Sequence, residues 1–121
     1  MRIAVVGSRT ARVENLESYL PAEVSEIVSG GARGIDFCAA EYAEGAGLPL
    51  KVFLPEYEKY GRAAPLKRND QIAEYADACL AFWDGVSRGT QYTISQFRKR
   101  GKPVFIFKQS VNEGNWYRVA D

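Results

Sequence analysis

Residues Ile27 to Phe37 read IVSGGARGIDF, a short β-branched run that stops at Gly30 and Gly31 and then opens into a helix whose first turn carries Arg33 and Asp36. A backbone so placed aims unpaired amide N–H groups and the positive end of a helix dipole at whatever lies above the turn, and an anion suits that position best. Gly30, Gly31, Ala32 and Arg33 are therefore a candidate seat for a phosphate or carboxylate. The competing reading is structural, because two glycines also permit a tight strand-to-helix turn at positive φ. Asp36 either orients Arg33, accepts from a ribose hydroxyl, or only complements the helix dipole.

Working outward, the same strand-then-helix alternation recurs along the whole chain. Upstream, Arg2 to Gly7 (RIAVVG) is a continuous apolar run of strand length, as expected of a strand buried on both faces of a parallel sheet. Val13 to Leu20 predicts a short amphipathic helix stopped by Pro21, and Val24 to Ser29 the second strand. Gly34 to Ala46 predicts a helix closed by Gly47. Pro49 to Leu54 is the third strand, and Pro55 to Ala64 (PEYEKYGRAA) a longer loop rich in Tyr and charge, of a kind that often carries binding function. Pro65 to Ala76 predicts a helix, Ala78 to Trp83 the fourth strand, Asp84 to Gly89 a polar glycine turn, Thr90 to Lys99 a helix and Pro103 to Phe107 the fifth strand. In the tail, 108–121, Trp116, Tyr117 and Val119 suggest packing back on the domain or on a neighbouring subunit. The expected fold is α/β: a single small Rossmann-like domain over 1–107, with a parallel five-stranded sheet and helices on both faces.

In such sheets ligands lie over the carboxyl ends of the strands, near the point where strand order reverses. Gly7-Ser8-Arg9, the Gly30 to Arg33 turn, Tyr60-Gly61-Arg62 and Asp84 through Thr90 all follow predicted strands, so four polar turns are expected on one rim. Gly89 and Thr90 open a helix and are a second candidate phosphate seat, Thr90 also being a good N-cap. Arg9, Arg33, Arg62, Arg68 and Arg88 are candidates for bidentate phosphate contacts, Arg9 and Arg68 foremost. Asn69 and Ser87 join the ligand-binding set, and Asp84 is the best carboxylate for ribose contact or catalysis, ahead of Asp70 and Glu56. Tyr57 and Tyr60 either stack on a base or anchor their loop. Arg98, Lys99, Arg100 and Lys102 fit a helix C-terminus better than a nucleic-acid face.

Composition narrows the chemistry. The 121 residues suit one domain, and 46% apolar with 26% charged residues is the balance of a soluble globular protein. No signal-peptide pattern and no apolar run of bilayer length is present, so a cytoplasmic protein without membrane contact is expected. With no histidine and only Cys38 and Cys79, both in apolar contexts, the chain lacks a Ser-His or Cys-His pair and a metal-ligand cluster. No metal and no cofactor is expected. A net charge of +1 argues against duplex nucleic acid but is compatible with a small anion.

VVGSR, SGGARGID, the YGRAA loop, RND, YADACLAFWDGVSRGT and GKPV, in that order over Ile3 to Phe107, closely resemble the YspA/YpsA-related branch of the SLOG superfamily, found in bacteria and phages. Six ordered stretches make the resemblance specific. It implies a Rossmann-like fold and a site for a nucleotide, an ADP-ribose-like molecule or another nucleotide-derived phosphorylated ligand. More distant relatives are the LOG phosphoribohydrolases and the DNA-processing protein DprA. In the LOG pattern a GT pair precedes a helix and a glutamate three residues beyond the threonine acts in cleaving the N-glycosidic bond. Gly89 and Thr90 match that pair, but Thr93 stands at the glutamate position. Arg68 matches a nucleotide-contacting arginine of LOG proteins. LOG-like folds also imply self-association into a dimer or larger homo-oligomer.

Three functions follow as expectations. The first is a nucleotide-binding sensor, sequestering or processing domain. The second is a nucleoside 5′-monophosphate phosphoribohydrolase with Asp84 and Arg68 as catalytic residues. The third is a DprA-like single-stranded DNA module, disfavoured by the near-neutral charge.

Overall fold

The computed structural model describes residues 1–110 and 115–119; part of the 108–121 tail thus lies outside the described residues. β1 (Arg2–Gly7), β2 (Glu26–Ser29), β3 (Leu50–Val52), β4 (Ala78–Phe82), β5 (Val104–Gln109) and β6 (Trp116–Val119) form one sheet in the order β3-β2-β1-β4-β5-β6. The α/β class and the helices on both faces are as expected, but the sheet has six strands rather than five. The extra one, β6, runs antiparallel to β5, with Phe107 opposite Arg118, while every other pairing is parallel. The antiparallel strand comes from the tail itself. Its Trp116 is buried, donates from Nε1 to the Arg12 carbonyl at 2.9 Å and packs edge-on against Phe82.

Chain direction explains which face each helix covers. From β1 the chain steps outward to β2 and β3, then returns across the sheet to β4 and β5, so crossovers of constant hand must change faces. Accordingly α1 (Ile35–Ala46) buries Ile35, Cys38, Ala39 and Ala43 on one face with Ile3, Val5, Ile27 and Leu80. On the other, α3 (Ala64–Tyr75) and α4 (Arg88–Lys99) bury Ile72, Ala73, Ile94 and Phe97 against Ala4, Val6, Val28 and Ala81. Alternate residues of each strand thus serve opposite cores, which is why β1 and β4 are apolar throughout. Each large apolar side chain so buried contributes about 1.5–3 kcal/mol.

Three local expectations are corrected. Instead of a helix over Val13 to Leu20 there is a four-residue 3-10 turn, Leu16–Tyr19, preceded by Asn15 in the left-handed region at φ 56°. The left-handed residue and Pro21 leave too little chain for a full amphipathic helix. The Pro55 to Ala64 loop contains a helical turn, α2 (Tyr57–Tyr60), and a 3-10 turn at Gly61–Ala63 that leads directly into α3. β3 is half the expected length and exposed. Of the basic cluster, Lys102 caps α3 rather than its own helix, its ammonium donating to the carbonyls of Ala73, Glu74 and Ala76 at 2.8 Å each.

Candidate functional site

The strand order reverses between β1 and β4, and there a cleft of about 430 Å³ opens over their carboxyl ends. Four segments build it. Val6 and Gly7 end β1 and Ser8 to Thr10 follow it, Gly30, Ala32 and Asp36 follow β2, Pro65, Arg68, Asn69 and Ile72 face it from α3, and Asp84, Ser87, Gly89, Thr90 and Thr93 come from the β4–α4 region. Of the expected residues, Gly7, Ser8, Arg9, Gly30, Ala32, Asp36, Arg68, Asn69, Asp84, Ser87, Gly89 and Thr90 line this one cleft. Gly31 and Arg33 instead line an adjoining cavity of about 620 Å³, and Tyr60 and Arg62 line neither. That loop forms a helical turn at Tyr57–Tyr60, whose Tyr57 is largely exposed.

Close backbone packing sets the rim. Gly34 has φ +70°, and a Cβ on it would strike the Ser8 carbonyl oxygen and lie 2.6 Å from the Arg9 carbonyl carbon. The loop after β1 therefore rests directly on the start of α1, an approach that only glycine allows. The Ile35 amide completes the contact by donating to the Ser8 carbonyl at 3.2 Å. Ser8 Oγ in turn holds the Thr10 amide and hydroxyl, at 3.3 and 3.0 Å.

The Gly30 turn differs from its expected role as an open seat. The Gly31 amide donates to Ser29 Oγ at 3.2 Å, and the Ala32 amide donates to Asp36 Oδ2 at 3.1 Å. The protein's own side chains thus accept from both amides. Burial pushes the Asp36 carboxyl above its ordinary 3.8, against the opposing pull of the Ala32 amide, the Arg68 and Arg9 charges and the Gly30 amide.

Arg68 is the central cation. Only 7% exposed, it donates from Nε to Asn69 Oδ1 at 2.8 Å and from Nη1 to the Gly30 carbonyl, with a longer contact to the Phe53 carbonyl at 3.4 Å. Gly30 makes room for it, since a Cβ there would lie 2.6 Å from Nη1. Burial lowers the Arg68 pKa, opposed chiefly by the nearby Asp36 charge. The guanidinium remains protonated, as arginine does in proteins. Its Nη2 has no hydrogen-bond partner among the described residues.

At the β4–α4 turn, Asp84 Oδ1 accepts from the Val86 and Ser87 amides at 2.9 and 2.7 Å, which lowers its pKa. Trp83 Nε1 donates to the Ser87 carbonyl at 3.0 Å and pins the turn from below. The next amides, of Arg88, Gly89 and Thr90, have no hydrogen-bond partner among the described residues, and Gly89 faces open space. Thr93 is buried and donates from Oγ1 to the Gly89 carbonyl at 3.0 Å. Thr10 and Thr93 are the polar lining residues that the candidate set lacked; Thr93 stands where the LOG pattern puts its glutamate, a signal that could have found it, whereas nothing in the sequence separates Thr10 from a turn residue. No group of three His, Cys, Asp or Glu side chains suited to a metal ion exists among the described residues, and none of their helices is long and apolar enough to cross a membrane.

No protein-family model and no solved structure matches the chain. Over 87 residues it is 36% identical to the Gene 61 protein of Mycobacterium phage D29, an alignment covering 67% of this chain and 70% of that protein. At that identity and coverage, the chain belongs to the same family as the phage Gene 61 protein.

Proposed function

We propose that this chain is a SLOG-type domain that binds a nucleotide or nucleotide-derived phosphorylated ligand in the cleft between β1 and β4. The observation that carries the reading is the pairing of a buried arginine with open helix amides. Arg68 has an unspent guanidinium nitrogen, and Gly89 and Thr90 offer free N–H groups at the positive end of α4. A phosphate accepts from both kinds of donor, and a charge-assisted bond to a partly desolvated guanidinium is stronger than one in water. The hydroxyls of Ser8, Thr10 and Thr90 line the same cleft and suit a sugar. The phage relative fits a setting in the cytoplasm of a bacterial host.

One observation favours a second reading, a nucleoside 5′-monophosphate phosphoribohydrolase. Asp36 is a buried carboxyl in the cleft whose pKa is raised, as a general acid requires. Against it, the LOG-type glutamate position holds Thr93, whose hydroxyl is turned to a backbone carbonyl. Asp84 is exposed and committed to two amides. Binding without turnover is the better-supported function.

Titration calorimetry with AMP tests both readings. Saturable binding is expected, and Arg68→Ala should weaken it by at least about tenfold, the loss of one charge-assisted contact. That variant should also destabilise the fold by about 2 kcal/mol, because it strips a donor from the Gly30 carbonyl and a neighbouring charge from Asp36. Wild-type protein indifferent to AMP, ADP and ADP-ribose would sink the proposal. Release of adenine from AMP would instead select the phosphoribohydrolase.

A further inference from the structure

The cavity beside the main cleft differs from it in charge. Four arginines, Arg9, Arg12, Arg33 and Arg68, line it and no carboxylate does. The only acidic side chain bridged to one of these four among the described residues is Glu41, 3.6 Å from Arg12 on the solvent side, where both groups are more than half exposed. Arg9, Gly30, Ala32 and Arg68 belong to both linings, so the two chambers share one wall and Arg68 stands in it. Arg68 as a whole residue is only 7% exposed, and because no buried side-chain nitrogen among the described residues lacks a partner, its Nη2, which bonds to none of them, opens to solvent where an anion can reach it.

We propose that the arginine chamber is a second anion subsite that takes a terminal phosphate of the ligand, so that the chain prefers nucleoside diphosphates to monophosphates. The inference rests on the nucleotide reading of the first cleft and adds the class of ligand. A phosphate at the α4 amides sits on one side of the shared wall, and a second phosphate linked directly to it reaches the arginines on the other. The Asp36 carboxylate on the main-cleft side and its absence from the arginine lining give the second chamber the stronger preference for negative charge.

The test is calorimetry of the full chain with AMP, ADP and inorganic pyrophosphate in chelator-containing buffer, repeated on Arg12→Ala/Arg33→Ala. Both arginines are exposed and line the second chamber but not the main cleft, so the double variant should melt as wild type does. Wild type should bind ADP at least about tenfold more tightly than AMP. The double variant should bring ADP down to the AMP affinity and leave AMP unchanged. Equal affinities for AMP and ADP in wild type, or equal losses of both in the variant, would overturn the subsite while leaving the nucleotide reading intact. If neither nucleotide binds but pyrophosphate does, and the variant abolishes it, the nucleotide reading fails and the anion subsite stands. Indifference to all three probes overturns both.

Discussion

The turns after β2 and after β4 have the same plan, a buried strand, glycine and then a twelve-residue helix, yet they end in opposite states. After β2, Asp36 lies within α1 and reaches back to the Ala32 amide, while Ser29 takes the Gly31 amide. After β4, Asp84 lies ahead of α4 and spends its carboxylate on Val86 and Ser87, which precede the helix. In the first turn the protein's own acceptors take the Gly31, Ala32 and Ile35 amides, whereas the second leaves the Arg88, Gly89 and Thr90 amides without a partner among the described residues. Both carboxylates bond amides that precede their helices, so the difference lies at the first helix amide, which the Ser8 carbonyl occupies on α1 and no described residue occupies on α4. The closed turn has a different use. Its Gly30 carbonyl and Asp36 charge hold Arg68 in place, so it positions a cation for the site.

The largest effect that separates the two turns should follow from adding one methyl group to each. Gly34→Ala places a Cβ against the Ser8 and Arg9 backbone at positive φ, where nothing flexible can give way. A loss of about 3 kcal/mol or more in urea unfolding is expected. A loss below about 1 kcal/mol would mean that the β1 loop is not clamped to α1.

That clamp was only partly legible in the sequence. The glycine-ended apolar runs of β1, β2 and β4 identify their strands and the rim directly, because a strand buried on both faces has no polar alternation to blur it. The helices α1, α3 and α4 fall within a residue or two of their expected spans. What stayed hidden depends on contacts distant in sequence. β6 pairs with β5 and buries Trp116 against Phe82, a partnership that the aromatic tail hints at without naming. Likewise, the first-turn position of Asp36 suggests dipole complementarity, whereas its reach back to Ala32 depends on the three-dimensional course of the turn. Of the five arginines near strand ends the sequence puts Arg9 and Arg68 foremost, and burial then separates Arg68 from the exposed Arg9, Arg33, Arg62 and Arg88.

At the open turn the same methyl should be harmless to the fold. A Cβ at Gly89 meets nothing within 4 Å, and alanine is the better helix former by up to about 1 kcal/mol. Gly89→Ala is therefore expected to unfold no more readily than wild type, yet to weaken AMP binding by about tenfold as the methyl crowds the amides from the cleft side. Unchanged AMP affinity would move the phosphate away from α4, to the Arg9 side of the cleft.

The smallest effect is in pH, and there the two carboxylates should differ in sign. Burial raises the Asp36 carboxyl in the folded protein above its unfolded value near 3.8, so the native state holds this proton more tightly. Its contribution to stability therefore grows as pH falls from the raised folded value to 3.8 and is constant below that. The Val86 and Ser87 amides lower Asp84, whose stabilisation is complete above 3.8 and is lost as pH falls through its folded value. Each effect should stay below about 1 kcal/mol, with that of exposed Asp84 the smaller because water screens it. Urea unfolding of wild type, Asp36→Asn and Asp84→Asn, from neutral pH down through the carboxylate range, reads both. Acidification should shift the comparison with Asp36→Asn toward wild type and the comparison with Asp84→Asn away from it. If both shift away from wild type, the Asp36 charge is stabilised by its amides and Arg68 more than burial penalises it, and the closed turn is an anion seat occupied by its own aspartate.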